Sequence, residues 1–216
     1  MPRLTISKEN YLKAIAEAES EGETVKAVTL SRWLGVSAPA VTMAIRRLRR
    51  DALIEVGSEG QITLAPAGRQ IANRLRNRHH LIERMLTEIF GLEWYKVHEE
   101  AEQLEHAVSE DFERKLIEKL GTGSECPHGN ILGMDSPLAR RKRGLKPLEE
   151  AAYGENVTVV SVFERDRGLL EYLDTQGIRP GAQCSVTAAA KGSLEARVEG
   201  RAIRLKDGVA AKIWVR

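Results

Sequence analysis

The chain has 216 residues, 42% of them hydrophobic and 30% charged, which is enough apolar mass for a real core and a length that predicts two or three small domains. No apolar run approaches the roughly 18 residues that span a bilayer, and the opening MPRLTISKENYLKAI carries charges where a signal peptide has its apolar segment, so a cytoplasmic protein without a membrane partner is expected. The net charge of +2 conceals a segregation of basic and acidic stretches, and two cysteines, Cys126 and Cys184, exclude a disulfide framework, leaving packing, free thiols or metal ligation.

In chain order, Ser7 starts a helix that carries Tyr11, Leu12, Ile15, Ala16 and Ala18 and closes at Gly22. Lys26 to Arg50 reads as two helices broken at Leu34-Gly35-Val36-Ser37. Leu30 and Leu34 lie in the first, and Val41, Ile45 and Leu48 recur at i, i+4 and i+7 in the second. Gly35 allows a left-handed turn, Ser37 can cap the second helix, and Pro39 fits its first turn, where no backbone donor is needed. Leu53–Val56 and Gln61–Leu64 flank the four-residue turn Gly57–Gly60, a β-hairpin that makes a wing.

A helix-turn-helix followed by a wing points to double-stranded DNA. From Ser37 to Arg50 there are four arginines and no acid. Ser37, Pro39, Ala40, Thr42 and Met43 occupy groove-facing positions, while Arg46, Arg47 and Arg50 are placed for phosphate contact. Ala40 and Met43 offer only apolar contact to thymine methyls, so shape readout and phosphates carry much of the affinity.

After Pro66 and Gly68 a long helical pattern runs through Ile71, Leu75, His79, Ile82, Leu86 and Ile89 and ends before Gly91. A second spans Trp94 to about Val108, with Val97, Ala101, Leu104 and Val108 on one stripe. Ser109 caps a third that ends at Leu120-Gly121. Their apolar surface exceeds the needs of one small domain, which predicts a two-fold dimer contact and thus two DNA-reading heads. Glu88 to Glu118 holds ten acids against three bases. Within it and just before it, His79 with Glu83, His98 with Glu102, and Glu102 with Glu105 and His106 lie three or four residues apart, so each group shares a helical face. Four of the five histidines fall between His79 and His106. Such a cluster can hold a divalent metal; His79, Glu83 or His98 taken alone has the lesser alternative of a surface residue paired with Arg78, Arg84 or Lys96, which their joint occurrence disfavours. Glu105 and His106, being adjacent, splay by about 100° around a helix, which leaves Glu102 with His106 as the firmer pair.

Gly121 to Glu155 is rich in Gly, Pro, Ser and Arg and reads as loop and linker, with Cys126-Pro127-His128-Gly129 near its start and a basic block from Arg140 to Lys146. The tail alternates in strand fashion at Val157–Val162, Ile178–Gly181, Cys184–Thr187, Leu194–Val198, Ala202–Leu205 and Ala211–Val215, which implies a small barrel. The fold class is therefore mainly α with a small β part. It comprises a winged-helix domain over 1–72, a helical metal-binding and dimerisation domain over 73–135, a linker over 136–155, and a β-barrel over 156–216.

The order of a first helix with Glu9-Asn10-Tyr11-Leu12, a winged helix ending in Leu64-Ala65-Pro66-Ala67-Gly68, a His/Glu helical segment and an SH3-like barrel resembles the diphtheria toxin repressor family of iron- and manganese-dependent regulators, over essentially the whole chain. Its most specific parts are Arg78-His79 with Glu83, Lys96-Val97-His98, Glu102-x-x-Glu105-His106 and the Cys126-Pro127-His128-Gly129 loop. The resemblance implies a primary regulatory site at Asn10, Glu102, Glu105 and His106. It also implies an ancillary site at His79, Glu83 and His98, joined by Cys126, His128 and a barrel carboxylate, Asp166 or Glu164. Iron-type members carry Cys or Met where this chain has Glu102 and Asn10, and several manganese-type members have Asp at the position of Asn10.

Glu102 in place of a sulfur ligand enriches the primary set in hard oxygen donors, which favours Mn²⁺ first and Fe²⁺ second. The function expected is a Mn²⁺-activated, homodimeric, DNA-binding repressor of metal-uptake genes. The alternatives are an Fe²⁺-dependent repressor of iron-homeostasis genes and a winged-helix regulator with an organic effector. No motif places a general base and no glycine-rich phosphate loop is present, so an enzyme is not expected.

Overall fold

The computed structural model describes residues 5–123, 125–190 and 193–216. The chain divides into two compact units, one made of residues 1–78 with 135–137 and the other of 79–134 with 138–216.

The first unit is built around helix α1 (Ile6–Ser20), capped by Thr5, whose side chain accepts from the Lys8 amide. Tyr11, Leu12, Ile15, Ala16 and Ala18 are all buried, as the apolar spacing predicts. Helices α2 (Ala27–Leu34) and α3 (Ala38–Arg50) pack on it, with Leu30, Val41 and Leu48 in one core. Gly35 takes φ +64° between them, the left-handed turn that a residue without Cβ adopts freely. Ser37 sits at the N-cap of α3 in extended conformation, but its side chain makes no capping hydrogen bond. The wing follows as β1 (Ile54–Val56) and β2 (Ile62–Leu64), antiparallel, with Ile54 opposite Leu64 and Val56 opposite Ile62. Helix α4 (Pro66–Arg84) then starts against β1. A Cβ on Gly68 would lie 2.0 Å from the Leu53 carbonyl oxygen, so only glycine allows this approach.

In the second unit the last turns of α4 run into a π-helical turn, Met85–Ile89. Helices α5 (Val97–Leu104) and α6 (Glu110–Leu120) follow, and Leu81, Ile82, Met85, Val97, Ala101 and Leu116 form their shared core. Helix α5 is shorter than its apolar stripe predicts. Trp94–Lys96 form a turn closed by the Lys96 amide on the Glu93 carbonyl, and beyond Leu104 the chain tightens, with the Ala107 amide on Leu104. Ser109, which caps α6, draws the chain out of the helix.

The C-terminal sheet has the order β3-β8-β4-β5-β6-β7, every neighbouring pair antiparallel, and β3 (Lys146–Pro147) belongs to it. The stretch 136–155 is therefore more than linker: it holds helix α7 (Pro137–Lys142), β3 and a 3-10 turn, Leu148–Glu150. The strands β4 (Asn156–Val162), β5 (Gln183–Ala190), β6 (Ser193–Val198), β7 (Arg201–Lys206) and β8 (Ile213–Val215) follow the alternation. Ile178–Gly181, expected as a strand, is a turn, and helix α8 (Arg167–Thr175) precedes it. Leu169, Leu170 and Leu173 of α8 are buried with the sheet's inner residues, and that burial outweighs any strand propensity nearby.

Candidate metal centre and DNA-binding face

Helix α3 presents its exposed face as the spacing predicts. Ser37, Pro39, Ala40, Thr42, Met43, Arg46, Arg47 and Arg50 are all exposed, while Val41 and Leu48 face inward. Arg50 Nε donates to Asp51 at 3.1 Å, and Asp51 also accepts from Lys8 Nζ at 2.6 Å, so this arginine is partly tied down. These two neighbours hold the Asp51 carboxyl below its ordinary range.

The second unit buries a cluster of histidines, carboxylates and one thiol. Helix α4 supplies His79, His80 and Glu83, and α5 supplies His98. The loop after α6 gives Cys126 and His128, and the segment after β4 gives Glu164. His79 Nδ1 lies 2.6 Å from Glu105 Oε2, while its Nε2 lies 3.0 Å from both Glu83 Oε1 and His98 Nδ1. A carboxylate on the far nitrogen of a histidine orients the ring and leaves the other nitrogen for a cation. His128 is held in the same way: Nε2 donates to the Trp94 carbonyl at 2.9 Å, and Nδ1 faces Glu83 and Glu164, each at 3.5 Å. Cys126 Sγ donates to Glu164 Oε2 at 3.1 Å.

Gly129 makes this possible. With φ +81° it lies so close to β4 that a Cβ would stand 1.9 Å from the Val160 carbonyl oxygen, and the Val162 amide donates to the His128 carbonyl. The loop is thereby fixed to the strand whose continuation carries Glu164. Asn130 Nδ2 donates to Glu164 Oε2 at 2.7 Å while its Oδ1 accepts from Arg140 Nη2 at 2.9 Å, which orients that carboxylate.

The electrostatics are those of a cation site. Burial would raise the Glu83 carboxyl, but the facing His79 and His128 overcome it and hold it well below the usual range. Glu164 is likewise pushed up by burial and by Glu83, and brought well below its usual range by His128 and the other histidines. Burial disfavours charge on His128, yet Glu83 and Glu164 raise it to about 10. Burial, Glu164 and Glu83 push the Cys126 thiol well above its ordinary value. Glu83 Oε2 is fully buried and has no hydrogen-bond partner among the described residues. An orphaned carboxylate oxygen beside a second carboxylate is costly unless a cation meets it.

These residues fit a metal, and two donor sets bring their ligand atoms within 4.8 Å of one another: His79, Glu83, His98, and His80, Glu83, Cys126, Glu164. Six of the expected ancillary residues thus converge when the barrel carboxylate is Glu164. Asp166 is not among them. It caps α8 by accepting from the Leu169 amide and pairs with Lys212 at 3.6 Å, because its side chain serves the helix start. His80 was not foreseen. Its burial follows from lying between His79 and the core residue Leu81 on the inward part of α4.

The expected primary residues are differently disposed. Glu102 is half-exposed, 3.7 Å from His98 Nε2 and 3.6 Å from Arg165. Glu105 is buried on His79, with its other oxygen 3.5 Å from His106 Nε2. Helix α5 ends at Leu104, and in the turn beyond it Glu105 and His106, adjacent in sequence, meet through these atoms. Asn10 lies half-buried on α1 in the first unit.

An exposed basic recognition helix with a wing, and a buried His/Cys/Glu cluster in the same chain, define the class of metal-responsive DNA-binding repressors. Three family models match in succession: iron dependent repressor, N-terminal DNA binding domain, over residues 3–60; iron dependent repressor, metal binding and dimerisation domain, over 65–131; and FeoA domain, over 146–216. The chain is 31% identical to the iron-dependent repressor IdeR of Mycobacterium tuberculosis over 93% of its own length and 92% of the relative's. It is 30% identical to the diphtheria toxin repressor of Corynebacterium glutamicum over 100% and 98%. Among solved structures, a manganese-dependent transcriptional repressor in complex with manganese matches with a TM-score of 0.84 at 30% identity, covering 96% of this chain and 98% of that one. The chain belongs to the diphtheria toxin repressor family of metal-dependent, DNA-binding transcriptional repressors. These relatives are repressors rather than enzymes, and no single helix among the described residues is long and apolar enough to cross a membrane.

Proposed function

We propose that this chain is a Mn²⁺-activated repressor of metal-uptake genes, acting in the cytoplasm as a homodimer on double-stranded operator DNA and catalysing no reaction. The observation that carries the metal preference is the donor set. Asn10, Glu102, Glu105 and His106, the proposed regulatory ligands, supply oxygens and one imidazole and no sulfur, the composition that hard Mn²⁺ accepts best. His79, Glu83, His98, Cys126, His128 and Glu164 form the supporting centre, buried in the second unit.

Fe²⁺ is the second reading, favoured by the single thiol in the supporting centre, since sulfur suits softer ions. The match to a dimerisation domain supports two DNA-reading heads, which fit half-sites about one helical turn, roughly 34 Å, apart.

The test is anaerobic binding of an operator, selected from random duplexes, across Mn²⁺, Fe²⁺ and Zn²⁺ and after chelation. Operator binding that appears with Mn²⁺ at the lowest free concentration supports the reading. Full binding by chelated protein, unchanged by any ion, would sink it.

A further inference from the structure

The segment that follows Cys126 and His128 does not stay in the second unit. Residues 79–134 and 138–216 belong there, but Asp135–Pro137 belong to the DNA-binding unit, so the chain enters that unit a second time. The base of this excursion is clasped. Asn130 Oδ1 accepts from Arg140 Nη2 at 2.9 Å, and the buried Arg140 guanidinium lies 5.1 Å from the centre of the Trp214 ring on β8. The tip is gripped as well. Asp135 pairs with Arg76 of α4, both of them buried, and Pro137 packs so near the turn after α1 that a Cβ on Gly22 would stand 3.2 Å from the Pro137 Cγ.

Neither limb has slack. On the way out the Met134 amide closes a turn on the Ile131 carbonyl at 2.9 Å, and on the way back Pro137 to Arg140 is one turn of α7. The grip at the tip is all-or-none, because an Asp135 that leaves Arg76 strands two charges away from water. At the base, Asn130 Nδ2 donates to Glu164 Oε2 at 2.7 Å. One side chain thus holds a carboxylate of the buried centre with its nitrogen and the root of the excursion with its oxygen.

We propose that the 130–140 segment is a lever that reports occupancy of the buried centre to the DNA-binding unit, with Asn130 as the positioning residue at its base and Asp135 as the one at its tip. A cation that draws on Glu164 shifts the acceptor of Asn130, the clasp on Arg140 follows, and two stiff limbs carry the shift to Arg76 and to the α1–α2 turn. The inference rests on the metal-dependent reading above, but its first readout involves no DNA, so either can fail alone.

The test is single-amide hydrogen exchange of the full chain in Asn10→Ala, which lacks the one proposed ligand on α1, with Co²⁺ as the probe metal. The Gly22 and Glu23 amides, bonded to the Glu19 and Ala18 carbonyls at 3.0 and 2.9 Å, report on the turn that Pro137 touches. Co²⁺ is expected to slow their exchange by about fivefold, the low end of ordinary couplings. Adding Asp135→Ala is expected to abolish that ratio while the Co²⁺ stoichiometry stays the same. Asp135→Asn, which keeps the shape and drops the charge, is expected to do likewise and serves if the alanine variant does not fold. A merely structural Asp135 would change exchange equally with and without Co²⁺ and leave the ratio intact. In the otherwise wild-type chain, Asp135→Ala is expected to lower the factor by which Mn²⁺ raises operator affinity by about fivefold, with the weak DNA affinity of the chelated protein unchanged. A ratio that survives both Asp135 variants, or a Gly22–Glu23 turn that ignores Co²⁺ in Asn10→Ala, overturns the proposal. Operator binding indifferent to Mn²⁺ in wild-type protein sinks the repressor reading and leaves the exchange result to decide the lever.

Discussion

His128 and Cys126 hold protons that a metal must displace. The His128 imidazole is raised to about 10 by Glu83 and Glu164 against the opposing effect of burial, and the Cys126 thiol is pushed well above its ordinary value by burial and the same two carboxylates. At pH 7 both are therefore protonated in the metal-free protein, while Glu83 and Glu164, held well below the usual range, are already charged and release nothing. Capture of an ion by this set is expected to release close to two protons, so affinity climbs as pH rises toward 10, by up to about tenfold per pH unit for each proton displaced. Calorimetry in two buffers of different protonation enthalpy counts them, and a release below one proton contradicts the assignment. At this scale the residue types were legible but not always the residue. Glu164 and Asp166 are equally good carboxylates in sequence, and what separates them is that Asp166 is spent on capping α8. His80 was hidden because adjacent helical residues diverge, and only a helix buried on more than one side takes both inward. Glu105 was legible as a ligand type, but its turn toward His79 depends on where α5 stops.

Helix α3 and the Cys126–Asn130 loop each yield a prediction at the level of the element. Arg46 and Arg47 are exposed with no acid preceding them on α3, whereas Arg50 is engaged with Asp51. Replacing Arg46 or Arg47 with Ala is expected to weaken binding to any duplex and to lower the salt slope by about 0.9 each. Arg50→Ala is expected to do less, because its charge is already partly met. Anisotropy titrations from low to high salt measure the three slopes, and equal slopes for all variants and wild type exclude α3 as the phosphate-contacting element. In the loop, Gly129→Ala must both hold a left-handed φ and clear the Val160 carbonyl at 1.9 Å. A loss of about 2–4 kcal/mol in urea unfolding is expected, together with weaker Co²⁺ binding in an anaerobic titration. Gly133→Ala, with φ +75° and open space at its Cβ, is the control and costs only about 1–2 kcal/mol of backbone strain. The winged helix was legible because period, turn glycine and hairpin agree at every position. Helix α8 was not, although Asp166 ahead of Leu169, Leu170 and Leu173 is a capping signal in plain sequence. The limits of α5 were not either, because an apolar stripe continues past the turn that ends the helix.

For the molecule as a whole, the division into a DNA-binding head, a helical segment and a sheet domain was legible from the change of periodicity along the chain, and the three successive family matches follow it. The part of the linker that pairs with β8 was not, since Lys146-Pro147 is too short to show alternation. Function at this scale is a coupling free energy. If Mn²⁺ raises operator affinity by some factor, the operator must raise Mn²⁺ affinity by the same factor, whatever the path between them; couplings of this kind are about 1–3 kcal/mol, or roughly 5–150-fold. Asn10 is the one proposed regulatory ligand carried by the DNA-binding unit, while Glu102, Glu105 and His106 belong to the other. Replacing it with Ala is therefore expected to bring both factors down together toward one and to leave the weak, salt-sensitive DNA affinity of the chelated protein where it was. Mn²⁺ isotherms with and without operator duplex, set beside operator isotherms with and without Mn²⁺, close the cycle at a fixed protein concentration. An unchanged factor in Asn10→Ala removes Asn10 from the regulatory set. Two factors that fall unequally instead point to a third equilibrium, such as dimer assembly, shifting between the measurements.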